Sequence, residues 1–353
     1  MAEHPGHCVA LVGGAVSGAE AACQLAKRGI HVVLFEQNAL PYGKIEDGLP
    51  KWHIKLRDKE ERKIDEKLNN EYVHFAPCVK IGKDIEFRDL VNNWGFTVVL
   101  LATGAWRDRP LPIEGIDGYM GKGLCYQNPF FYWYNHKHEP DYKGPEIKIK
   151  DNAVIVGGGL ASIDVAKAVM MELVEDALKK RGIATNMFEL ERKGIDVILA
   201  DNGLTLDDIG VKGCTLYYRR RAKDMPLTSM KTDTADLLEK AQNTRVKILE
   251  KAMQKFLFRT VECSAPVDAV TNKGKLSGIV FQKTRIEDGS VIPIKGSEFK
   301  VETDLVISSI GSIPEQIPGI PVKGQIFDLE DEHTCQIRGY DNVFALGNAV
   351  TGR

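Results

Sequence analysis

Two strand–glycine–helix signatures dominate this chain of 353 residues. Val9-Ala10-Leu11-Val12 runs into Gly13-Gly14-Ala15-Val16-Ser17-Gly18, and far downstream Val154-Ile155-Val156 runs into Gly157-Gly158-Gly159. A strand, a tight glycine turn and a helix bring free backbone N–H groups and the positive end of a helix dipole to one point, which suits a pyrophosphate. Two such units imply two dinucleotides and an α/β chain with two nucleotide-binding domains.

In the first unit Gly13 permits the turn and Gly18 allows helix and strand to pack closely. Ala15 stands where the middle glycine of the G-x-G-x-x-G pattern is expected, and its methyl crowds the pyrophosphate. Ala19, Ala22, Cys23 and Ala26 share one face of the helix from about Ser17 to Arg28. Glu36 closes the second strand, at the spacing where an acid accepts hydrogen bonds from a ribose 2′-OH. The competing reading of these residues is a purely structural glycine turn.

In the second unit Gly157 and Gly159 keep the first two glycines, Leu160 and Ala161 open the helix, and Ser162 replaces the third. The next strand ends at Tyr218-Arg219-Arg220-Arg221, where a site for an unphosphorylated ribose carries an acid. Guanidinium forks match phosphate oxygens. Arg219 and Arg220 therefore suit a 2′-phosphate, as in NADP; the bland alternative is a solvated basic turn.

A net charge of −2 favours neither nucleic acid nor an anionic membrane surface. No apolar run reaches the roughly 20 residues a spanning helix needs. The start, Met1-Ala2-Glu3-His4-Pro5, has no basic region followed by an apolar stretch, so a cytoplasmic location is expected. The 7 cysteines are scattered and form no CxxC pair. They read mostly as small buried fillers, not as a dithiol or cluster site. His136 and His138 lack a third ligand at zinc spacing, so no metal is expected.

Between the fingerprints lie a glycine-punctuated loop from Leu40 to Gly48, a charged helix from Lys55 to Leu68 and the aromatic run Phe130-Phe131-Tyr132-Trp133-Tyr134. A polar insertion extends to about Gly213, and an antiparallel meander is expected from Lys255 to Lys300. Buried strands are expected at Leu305–Gly311 and Val343–Gly347.

Taken in order, the Gly13–Gly18 turn, Gly43 and Gly48, Ala102-Thr103-Gly104, Phe131-Tyr132-Trp133-Tyr134-Asn135, the Gly157–Ala166 run, Tyr218-Arg219-Arg220 with Met225-Pro226, and Gly347-Asn348 resemble one family. The chain is similar to ferredoxin–NADP reductases of the adrenodoxin-reductase type and to the small subunit of glutamate synthase. The resemblance spans nearly the whole chain. It implies two Rossmann-like three-layer domains of the glutathione-reductase-like kind: a split FAD domain (1–110 plus 300–353) with an NADPH domain (111–299) inserted. It places FAD on Gly13, Gly14, Ala15, Ser17, Gly18, Glu36, Gln37, Gly43, Lys44, Ile45, Ala102, Thr103, Gly104, Gly347 and Asn348. NADP falls on Gly157, Gly159, Leu160, Ala161, Ser162, Arg219 and Arg220, and His53 becomes the active-site histidine beside the flavin.

Four departures stand out. Ala15 is one. Asn348 stands where many members have Asp. The sequence ends at Arg353, where the family continues into a helix aimed at the flavin, and no iron–sulfur segment precedes the first fingerprint. The implied activity is hydride transfer from NADPH to FAD, then electrons to a ferredoxin-like acceptor, with Lys51, Lys55, Arg57 and Lys59 as a basic landing face. The alternatives are an FAD/NADPH subunit of a larger redox complex and a non-catalytic dinucleotide-binding scaffold.

Overall fold

The computed structural model describes residues 7–351. Met1–Gly6, read above for a targeting signal, and Gly352 and Arg353 at the chain end lie outside the described residues. The chain divides into two compact units, residues 1–107 with 312–353 and residues 108–311.

The first unit is built on a seven-stranded sheet. The middle of its five parallel strands is Cys8–Val12, paired with His31–Phe35 on one side and Val98–Leu101 on the other. Val73–Ala76 and Val343–Ala345 extend the parallel set outward. Gln336–Ile337 and Leu329–Asp331 close one edge antiparallel. The central strand is apolar at every inner position because both faces are covered. Leu11, Val32 and Leu34 pack with Ala22 on one side. Ala10, Val12, Val99 and Leu101 pack with Phe87, Leu90 and Ile337 on the other. Helix Val16–Ala26 turns Gly18, Ala19, Ala22 and Ala26 inward, and these small residues let its backbone approach the sheet. Helix Ile54–Leu68 buries only Ile64, so its charged faces are mostly solvated.

The second unit repeats the plan with five parallel strands, in the order Leu124–Tyr126, Val306–Ser309, Ala153–Gly157, Cys214–Tyr217 and Arg259–Val261. Helix Leu160–Lys180 turns a broad apolar face inward, including Ile163, Val165, Ala166, Val169, Met170 and Val174. The opposite face is covered by a three-stranded antiparallel sheet, Ser264–Asn272, Lys275–Glu287 and Ser290–Glu302. Phe281 of that sheet stacks on Tyr217 of the parallel sheet, with ring centroids 4.1 Å apart. Leu276, Ile279, Val154, Val156 and Val306 fill the same layer.

The structure departs from the sequence reading in several places. Leu305 to Gly311 lies in the second unit, not in the first as the expected boundary at 300 has it. Val306–Ser309 pairs between two strands of the second sheet, and the chain returns to the first unit only at Ser312. The polar insertion contains helices Met187–Lys193 and Ile195–Asp201. The aromatic run is part of helix Gln127–His136, whose Asn128 amide donates to the Asp108 carboxylate. The meander begins only at Ser264, because Ala235–Phe256 is a helix of 22 residues. Only Ala241, Leu249 and Phe256 of that helix are fully buried, which leaves a thin apolar signal in a charged stretch. A helical turn begins at Asn348. Of the cysteines, only Cys125 and Cys214 are buried, and Cys78 is exposed.

Phe281 is fully buried, and the Phe299 ring stacks against it at 5.8 Å. Phe281→Ala is expected to destabilise the second unit by about 3–5 kcal/mol, measured as a shift of its urea unfolding midpoint.

Candidate functional site

Each candidate site is a glycine turn whose geometry admits no larger residue at specific positions. In the first, Gly13 has φ +97° and a Cβ there would stand 2.6 Å from the Ala102 carbonyl oxygen. A Cβ on Gly18 would overlap the Gly13 carbonyl oxygen, and one on Gly14 would stand 2.7 Å from Pro41 Cβ. The helix therefore begins directly over the strand end, and Ala15, in extended conformation, is its N-cap.

Glu36 is 5% exposed, and its two oxygens serve different parts of the turn. The Gly14 amide donates to Oε2 at 2.9 Å and the Asn38 amide donates to Oε1 at 3.1 Å. The carboxylate thus ties the glycine turn to the end of the second strand and keeps lone pairs for further donors. This structural task has no signal in the sequence beyond the acid itself. Gln37, between these anchors, is half-buried.

The loop from Leu40 to Gly48 folds back on the turn. Gly43 has φ +52°, and a Cβ there would stand 3.2 Å from the Ala15 methyl. The glycine of the loop thus makes room for the alanine of the turn. Lys44 and Ile45 follow in a short helix, and Lys44 Nζ donates to Ser312 Oγ at 2.9 Å. The Tyr42 hydroxyl donates to Asp65 at 3.0 Å, which moors the loop to helix Ile54–Leu68. Burial and the Asp65 carboxylate push that phenol up to about 12.

Ala102 is buried beneath Gly13, and the Thr103 hydroxyl is buried without a hydrogen-bond partner. Gly104 adopts φ +68°. Gly347 sits against the other end of the turn, where a Cβ would stand 2.6 Å from Ser17 Oγ. Asn348 follows, exposed. His53 is half-buried at the start of helix Ile54–Leu68, and the Trp52 indole donates to its Nε2 at 3.1 Å. That bond places the neutral ring's proton on Nδ1.

In the second site, a Cβ on Gly157 would overlap the Ser309 carbonyl oxygen and stand 2.8 Å from Ser162 Cβ. Ser162 is fully buried and its hydroxyl donates to the Gly159 carbonyl at 2.6 Å, which fixes the first helical turn. Gly159 faces open space and Leu160 is 54% exposed, so the mouth of the turn is clear. Ala161 follows Leu160, half-buried. Tyr218 covers Gly158 so closely that a Cβ would overlap its ring.

The three arginines separate by partner. Arg221 is committed to Asp224, with Nε and Nη2 donating at 2.8 and 3.1 Å. Arg220 Nη1 donates to the Gly289 carbonyl of a hairpin tip at 2.9 Å. The Arg219 side chain is exposed, and its own carbonyl accepts from the Thr284 hydroxyl at 2.7 Å. Tyr218 enters the sequence reading only as part of a motif, without a role of its own, and Arg245, which donates to the Lys223 carbonyl, has no part in it.

Both turns fit a dinucleotide. The first offers a glycine-lined cradle, an orphaned buried hydroxyl and an acid; the second offers a similar cradle with guanidinium groups in place of the acid. A model of the pyridine nucleotide-disulphide oxidoreductase family matches residues 7–353. The chain belongs to that family.

The mitochondrial NADPH:adrenodoxin oxidoreductase of Arabidopsis thaliana is 28% identical over 370 residues, covering 94% of this chain and 72% of its own length. The NADPH glutamate synthase small chain of Mycobacterium tuberculosis is 25% identical over 326 residues, 89% of this chain but 55% of its own length. The structure of Mycobacterium tuberculosis FprA in complex with NADPH shares the fold, with a TM-score of 0.73 and 20% identity over 98% of this chain and 80% of that one. The expected oxidoreductase class, the α/β architecture and the pairing of FAD with NADP agree with these matches. No described helix is long and apolar enough to cross a membrane.

Because the Gly14 amide is buried, Glu36→Ala leaves it without an acceptor. The variant is expected to lose about 1–3 kcal/mol of stability in dinucleotide-free protein, read from urea denaturation. A loss below about 0.5 kcal/mol would remove the structural role of the carboxylate.

Proposed function

We propose that this chain takes reducing equivalents from NADPH onto FAD and delivers electrons to a ferredoxin-like protein. One observation carries the reading. The two glycine turns are alike in backbone but opposite in charge at the ribose position: Glu36 in the first, Arg219 and Arg220 in the second. A carboxylate accepts ribose hydroxyls and repels a 2′-phosphate, whereas a guanidinium pair does the reverse. FAD then belongs to the unit of residues 1–107 and 312–353, and NADPH to residues 108–311.

In this reading the chain binds and orients, and the cofactors carry the redox chemistry. FAD held here would supply hydride acceptance and one-electron release. Gly13, Gly14, Ala15, Ser17 and Gly18 present backbone N–H groups to its pyrophosphate, and the Thr103 hydroxyl gains a partner there. Gly43, Lys44 and Ile45 would hold the ring end, and Gly104, Gly347 and Asn348 the chain that joins ring and phosphate. His53, its imidazole oriented by Trp52, would serve the ring.

The acceptor rests on the relatives' names and on charge. Lys55 and Lys59 are exposed, but Arg57 faces Glu61 at 3.7 Å, and Asp58 and Glu66 line the same surface. The landing face is therefore mixed, and a docked partner must select among these charges. All seven cysteines are free, which suits a reducing cytoplasmic compartment. The likeness to a glutamate synthase small chain favours a second reading, a subunit of a larger redox complex. Stable co-purification with a large subunit would mark that case.

The test is an anaerobic NADPH titration of FAD-loaded protein. Loss of the flavin absorbance is expected, and a chain that takes up no FAD would support a scaffold instead. Arg219→Ala with Arg220→Ala should raise the KM for NADPH at a cost of about 1.5–3 kcal/mol per lost contact and leave NADH little changed. His53→Ala should slow turnover with ferricyanide without weakening NADPH binding; unchanged turnover removes His53 from the site.

A further inference from the structure

A half-buried guanidinium without a countercharge stands behind the arginine segment of the second unit. Arg245, from helix Ala235–Phe256, donates through Nη1 to the Lys223 carbonyl at 3.2 Å. Its Nε–H is closed to solvent and has no acceptor. No carboxylate pairs with it among the described residues. The nearest turn acid, Asp224, is already held by Arg221 in a two-point contact.

Its surroundings link it to the candidate site. The next carbonyl of the same turn, that of Asp224, accepts from the Tyr218 hydroxyl at 3.3 Å. Arg245 and Tyr218 thus hold consecutive carbonyls of one turn, and the Tyr218 ring covers Gly158. Burial raises the Tyr218 phenol above its ordinary value, and against that the charges of Arg220, Arg219 and Arg245 pull it down, opposed by the single acid Asp224. An unpaired charge drawn out of water is unfavourable until an anion arrives, and such a charge beside a ligand cleft marks a functional group.

We propose that Arg245 is a positioning residue for phosphorylated nucleotides, the third cation of the 2′-phosphate subsite. It acts from behind. Its Nη1 contact to the Lys223 carbonyl fixes the Ala222–Asp224 turn and with it the exit of Arg219 and Arg220 from the strand, while its charge adds to the potential that a 2′-phosphate meets. The role assigned to it is therefore positional. This role rests on the reading that Arg219 and Arg220 receive that phosphate.

The test is calorimetric binding of 2′,5′-ADP and of 5′-AMP to the full chain, two probes that differ by the 2′-phosphate alone. Arg245→Gln should weaken 2′,5′-ADP about tenfold and leave 5′-AMP within about twofold. Arg245→Lys, which keeps the charge, should recover most of the loss. Arg245→Met repeats the neutralisation with the stem packing kept, should the Gln variant fold poorly. Equal weakening of both probes, or of neither, overturns the proposal. Arg219→Ala with Arg220→Ala is the control: if it spares 2′,5′-ADP, the underlying assignment of the subsite fails, whereas loss there with Arg245→Gln silent refutes the role of Arg245 alone.

Discussion

The carbonyl oxygen of Gly13 sets the closest approach between a helix and a strand in the first unit, and much else depends on it. A side chain at Gly18 would collide with that oxygen, so the helix can start over the strand end only if residue 18 is glycine. Once it does, the first-turn N–H groups converge at one point, and Ala102, Pro41, Gly43 and Gly347 are each drawn to within contact of the turn. The segments that meet there come from opposite ends of the chain. A local steric limit thus fixes the meeting place of residues hundreds of positions apart.

The second unit reaches the same backbone by different contacts. Gly157 is confined by the Ser309 carbonyl and by Ser162, so a serine completes the packing that a glycine gives in the first unit. Its hydroxyl returns a hydrogen bond to Gly159, which offsets the cost of burying it. The first turn is braced from the side by Glu36, a charged group with two backbone donors. The second is covered by the Tyr218 ring, which carries no charge and leaves the arginines after it to set the potential. In the first unit one residue, Glu36, both braces the turn and sets its charge; in the second the two tasks fall to neighbours, Tyr218 and the arginines after it.

The strands, the glycine turns and the acid or arginines at the strand ends are legible in the sequence because each is a local pattern: an apolar run, a glycine spacing, a residue at a fixed distance along the chain. The legibility stops where the reason for a residue is tertiary. Helix Ala235–Phe256 is hidden because it buries only three side chains completely, so its apolar period is weak among many charges. The return to the first unit is misjudged by about a strand because Val306–Ser309 reads as a buried strand of either sheet, and only its partners Leu124–Tyr126 and Ala153–Gly157 decide. The cysteines are scattered through apolar runs, yet edge and turn positions leave Cys78 and its like partly open. The second oxygen of Glu36 is spent on Asn38, a bond that no spacing rule encodes.

The arginine triplet divides by partner. Arg221, which the sequence reading leaves out of the phosphate set, is neutralised by Asp224, and Arg220 is tethered to the Gly289 carbonyl. Arg219 alone is left exposed without a recorded partner. A 2′-phosphate would have to draw Arg220 away from a neutral carbonyl, an exchange that favours the phosphate because a charge-assisted bond is the stronger one. It would leave Arg221 alone, since breaking a two-point ion pair with Asp224 gains nothing. The positive potential that remains once Arg221 is discounted is restored from outside the triplet, by a residue of a distant helix whose charge nothing in the unit cancels.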